Sequence, residues 1–88
     1  RDGVAIIHLM LDCDEGNLLE EPDIITRGFV FTEDAGDLLS DARSLIREIV
    51  SQPFDGTVER RVEEELSKFF YTQTRRRPMI FVFASRSN

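Results

Sequence analysis

Eighty-eight residues suffice for one domain but not two, and a chain of this size can bury a single modest core. Apolar residues make up 41% and charged residues 32%, arranged in periodic runs, which excludes a disordered tail. Seventeen acids against 11 bases give a formal net charge of −6, so an electrostatic grip on nucleic acid spread over the whole surface is excluded and any such contact has to be local.

The lone cysteine, Cys13, leaves no internal disulfide and fits a reducing, cytoplasmic setting. No apolar segment approaches the ~20 residues of a membrane span, and no signal peptide is visible. The opening Arg1-Asp2-Gly3 carries no initiator Met. Residues 1–88 therefore read as a single-domain fragment of a longer polypeptide.

Val4 to Leu11 is an apolar run interrupted only by His8, which is strand length rather than helix length. Asp12-Cys13-Asp14-Glu15-Gly16-Asn17 has turn composition, and Leu18 to Ile25, containing Pro22, reads as a partly extended connection. Thr26 to Phe31 reads as a second strand. From about Thr32 the period changes. Leu38, Leu39, Ala42, Leu45, Ile46, Ile49 and Val50 line one face of a helix, with Asp37, Asp41, Arg43, Arg47 and Glu48 opposite. Glu33, Asp34 and Asp37 suit its positive N-terminal end, and Pro53 and Gly56 bracket its exit.

Thr57 is placed to cap a second helix, in which Val58, Val62, Leu66, Phe69 and Phe70 repeat the spacing. Arg75-Arg76-Arg77-Pro78 ends it, because proline pushes its predecessor out of the α region. Met79 to Ala84 is a third strand. The order predicts an α+β fold, β-β-α-α-β, with two helices packed on one face of a three-stranded sheet. Strand order stays open, since the third strand could lie beside the first or the second.

Alternation puts Ala5, Ile7, Leu9 and Leu11 on one face of the first strand and Val4, Ile6, His8 and Met10 on the other. Met79, Phe81 and Phe83 likewise alternate with Ile80, Val82 and Ala84. Two short helices cover one face only, whereas a solvated face should read polar. Val4, Ile6, His8 and Met10 are therefore the candidate interface, facing a second copy or the rest of the polypeptide.

Two stretches carry a family resemblance. Gly16-Asn17-Leu18-Leu19 followed by Pro22-Asp23-Ile24-Ile25-Thr26-Arg27-Gly28-Phe29-Val30-Phe31 is similar to a segment of ribonuclease J C-terminal domains. Arg76-Arg77-Pro78-Met79-Ile80, just after a helix containing Leu66-Ser67-Lys68-Phe69-Phe70-Tyr71, resembles that family's closing motif. Order and spacing match over nearly the whole chain. The last strand departs: Phe81-Val82-Phe83-Ala84-Ser85 stands where a proline-containing strand is expected, which puts its pairing in question.

The resemblance implies a parent of the metallo-β-lactamase fold, a zinc-dependent endonuclease and 5′-to-3′ exonuclease on RNA. In this family the C-terminal domain is implicated in assembly and full activity. The partners implied are the domain's own catalytic body, a second copy, or both, with RNA reached through the parent and no membrane involved.

The parent's two-metal cluster needs several histidines, and His8 is the only one here, so the fragment is expected to hold no catalytic centre, metal or cofactor of its own. A local His8, Asp12, Cys13 and Asp14 site would need strand and turn residues to converge; a half-buried His8 at a contact is the simpler reading. Glu63-Glu64-Glu65 reads as a solvated helix face. Arg75, Arg76 and Arg77, with Lys68 two turns earlier, form the one concentrated basic feature. It serves either as an RNA phosphate contact or, more simply, as helix-end charge with salt bridges to the abundant acids. Arg27-Gly28 reads as a bulge or close backbone approach, and Phe69-Phe70-Tyr71 as core plus edge.

Overall fold

The computed structural model describes residues 2–30 and 32–88, the side chains of 32–34 excepted. The apolar run forms the central strand, β1 (Val4–Asp12). Asp23–Arg27 forms β2, antiparallel to it, and Met79–Ser87 forms β3, parallel to it, giving the order β2-β1-β3. Between β2 and β3 run α1 (Thr32–Ser51) and α2 (Val58–Thr74). The β-β-α-α-β order is as the sequence predicts, and the open question of strand order resolves with β3 beside β1. No proline interrupts β3, which pairs with β1 along its whole length.

β2 differs from its sequence-based placement at Thr26 to Phe31. It starts at Asp23, directly after buried Pro22, and stops at Arg27 because Gly28 takes φ +84 and turns the chain. Phe29 then drops into the core edge-on to Phe70, with ring centres 5.0 Å apart. Phe31 lies outside the described residues. Leu18, read as connection, forms an isolated bridge with Leu11.

Ala5, Ile7, Leu9 and Leu11 are fully or almost fully buried against Ala42, Ile46, Val62, Leu66 and Phe70. That is the helical stripe read from the spacing. Burying a side chain of this size stabilises the fold by roughly 1.5–3 kcal/mol. Thr57 caps α2, its hydroxyl accepting the Arg60 N–H at 3.2 Å. Arg43 and Arg47, expected on a solvated face, reach back to the approach to β2: Arg43 donates to the Pro22 carbonyl at 3.1 Å, and Arg47 pairs with Glu21. Glu33 and Asp34, expected to complement the start of α1, lie outside the described side chains.

All three strands converge at Gly3, where φ is +93. Its carbonyl accepts the Met79 N–H at 2.8 Å, and a Cβ there would stand 2.4 Å from the Arg27 carbonyl oxygen. The close approach foreseen at Gly28 thus depends equally on Gly3.

Candidate functional site

Both helices pack on the face of Ala5 and Ile7, which leaves the opposite face open. The register sets its side chains in cross-strand rows, because directly paired residues share a face. Arg27, Val4 and Met79 form one row; Ile25, Ile6 and Phe81 the next; Asp23, His8 and Phe83 the third. Met10 and Ser85 follow. Leu19, whose N–H donates to the Met10 carbonyl at 2.8 Å, extends that end.

Ile6, Ile25, Met79, Phe81 and Phe83 are 38–57% exposed, as is Leu19, and among the described residues these are the large apolar side chains most open to solvent. Val4, His8 and Met10 are half-buried among them. Four candidate residues from the first strand are thus brought together on one surface. Reading strands singly missed Ile25 and Leu19. Ile25 sits where the sequence suggested a connection, and Leu19 beside an isolated bridge with no alternation to betray it.

Polar groups edge this apolar centre. Asp23 and Arg27 flank it on β2, and His8 Nε2 lies 2.9 Å from Ser85 Oγ. An apolar middle with a polar rim is the anatomy of a contact surface.

The alternative metal grouping does not assemble. Among the described residues no three His, Cys, Asp or Glu side chains converge. His8 lies against Ser85. Asp12 turns its carboxylate onto its own turn, accepting N–H groups from Glu15, Gly16 and Asn17 at 2.5, 3.2 and 3.1 Å. These donors, that of Glu15 foremost, hold the Asp12 carboxyl below the usual aspartate range despite opposition from partial desolvation.

At the end of α2, Arg75 caps in the left-handed region, φ 60, its N–H donating to the Tyr71 carbonyl at 2.8 Å. The guanidinium carbons of Arg75 and Arg77 lie 5.2 and 4.2 Å from the centre of the Tyr71 ring. The sequence offered two readings of these arginines, an RNA phosphate contact or helix-end charge with salt bridges to acids. Among the described residues no ion pair involves Arg75 or Arg77, and both lie instead against Tyr71. The i, i+4 spacing of Tyr71 and Arg75 was the available signal. Lys68 pairs instead with Glu65 at 3.6 Å, and the Arg76 N–H donates to Thr74 Oγ1 at 3.0 Å.

Fold and surface together define an α+β domain with one sheet face under helices and one open and apolar. The chain belongs to the ribonuclease J C-terminal domain family, whose model matches residues 1–87. Ribonuclease J2 of Bacillus subtilis (strain 168) is 34% identical over 86 residues, covering 91% of this chain and 16% of that protein. Ribonuclease J 2 of Staphylococcus aureus (strain NCTC 8325 / PS 47) is 35% identical over 89 residues, covering 91% of this chain and 15% of that protein. The chain thus spans about one-sixth of the length of the curated relatives it matches. Among the described residues no helix is long and apolar enough to cross a membrane.

Proposed function

We propose that this domain is the non-catalytic accessory module of a ribonuclease J-type enzyme, and that its open sheet face docks on the rest of the same polypeptide to support assembly and position the catalytic body. The observation that carries the reading is the apolar centre of that face, Ile6, Ile25, Phe81 and Phe83, left in solvent on a domain whose opposite face is packed under helices. The relatives are several times longer than this chain, so a large surface is available to receive it. RNA cleavage, and the zinc that would support it, belong in this reading to the remainder of the chain.

The test titrates the 88-residue chain into the parent protein lacking it. Binding should be saturable, and Phe81→Asp should weaken it at least tenfold, as expected for a charge buried at the centre of a contact. Equal binding by the variant would remove the face from the interface.

A second reading has its own observation, the two guanidiniums over Tyr71. Gathered over one ring, they place two cationic groups side by side, and RNA phosphate contact at Arg75 and Arg77 would follow. It predicts affinity for single-stranded RNA that falls steeply between about 50 and 200 mM salt and is lost in Arg75→Glu with Arg77→Glu. Affinity that ignores both would leave the face as the domain's working surface.

A further inference from the structure

The two edges of the sheet are built differently. β2 is five residues long, follows Pro22, and carries Glu20 and Glu21 at its approach and Asp23 and Arg27 within it. Short length, proline and charge are the devices that keep an edge from pairing. β3 shares only a preceding proline, Pro78, with the arginines before it, and has neither the short length nor, apart from one residue, charge within the strand. Its nine residues, Met79 to Ser87, contain no proline, acid or lysine, and a single arginine near the end.

The hydrogen-bond phase of β3 follows from its two ends. The Met79 N–H donates to the Gly3 carbonyl at 2.8 Å and the Ser87 carbonyl accepts the Cys13 N–H at 2.9 Å. In a parallel ladder, alternate residues bond to the neighbouring strand. Met79, Phe81, Phe83, Ser85 and Ser87 thus face β1, while Ile80, Val82, Ala84 and Arg86 turn both backbone groups away from the sheet.

We infer that the outer edge of β3 receives a fourth strand, an extended segment donated by the rest of the polypeptide. A second copy of this domain is disfavoured by its own helix layer. α2 packs against β3, so antiparallel pairing of two β3 strands would bring two α2 helices onto the same face at the seam, where packed helices need about 8–10 Å between axes. A lone strand carries no such layer. A groove at the start of β3 is lined by Glu63 and Ser67 of α2 together with Pro78, Met79, Ile80 and Phe81. The length of the relatives beyond this domain supplies the source. The inference deepens the docking reading by naming a main-chain contact beside the open face, and the two can fail separately.

Amide hydrogen exchange on the full-length protein, read residue by residue, tests it. The N–H groups of Ile80, Val82, Ala84 and Arg86 are expected to be protected to the level of Phe81 and Phe83, independently of protein concentration. Val82→Pro, which removes an outward N–H and leaves the β1 ladder intact, should return Ile80, Ala84 and Arg86 to fast exchange while Phe81 and Phe83 stay protected. Fast exchange of all four in the wild-type protein overturns the inference. Protection that vanishes on dilution overturns it in favour of a second copy. Neither result would touch the docking of the face, which reads out on side chains.

Discussion

At the scale of single residues, Asp12 shows how one side chain fixes a turn. Its carboxylate gathers the N–H groups of Glu15, Gly16 and Asn17 at the end of β1, the Gly16 N–H also donating to the Asp12 carbonyl. Because the folded state holds this carboxyl below its ordinary value, the stabilisation is fully present above the unfolded-state value. It is lost as the pH falls through the lower, folded one. Asp12→Asn should therefore lower the melting temperature near neutral pH, and the gap to wild type should close progressively in acid. Thermal melts of both proteins from neutral to strongly acidic pH check this; a constant gap would mean that the charge plays no part. The turn itself was legible, since acids followed by Gly-Asn allow little else. The direction of the Asp12 carboxylate was not, because Asp12 and Asp14 look alike in sequence.

At the scale of elements, the helices were legible almost to the residue, because a period of 3.6 sustained over several turns has no rival interpretation. β2 was not. Its five residues follow a proline, and the aromatic Phe29 drew the reading toward the far side of Gly28, where the chain in fact turns into the core. The outward face of β1 was readable from alternation alone, whereas Ile25 joined it only once the register was known. Gly3 gave no local signal, yet the start of the sheet depends on it. Gly3→Ala places a Cβ 2.4 Å from the Arg27 carbonyl oxygen in a backbone region that L-residues avoid, and should cost about 2–3 kcal/mol. Gly28→Ala meets its nearest neighbour, Gly3 Cα, at 3.5 Å and should cost about 1 kcal/mol from the left-handed backbone alone. Urea unfolding of the two variants measures the difference, and equal losses would show that backbone strain, not the close approach, sets the cost.

At the scale of the whole molecule, the fold uses its few elements on one side only. Two helices bury one face of three strands, and the other face keeps aliphatic, aromatic and methionine side chains in water, edged by Asp23, Arg27, His8 and Ser85. A domain of this size has little core to spare, and the docking proposal accounts for the surface left uncovered. Met79 reports on that directly, because its side chain is 52% exposed and stands on the open face. The deciding measurement is the rate at which peroxide oxidises Met79 in the 88-residue chain and in the full-length protein, followed by mass spectrometry. Docking of the face predicts oxidation at least several-fold slower in the full-length protein, with the rate restored by Phe81→Asp. Equal rates in the two proteins would show the face bare in both and contradict the account.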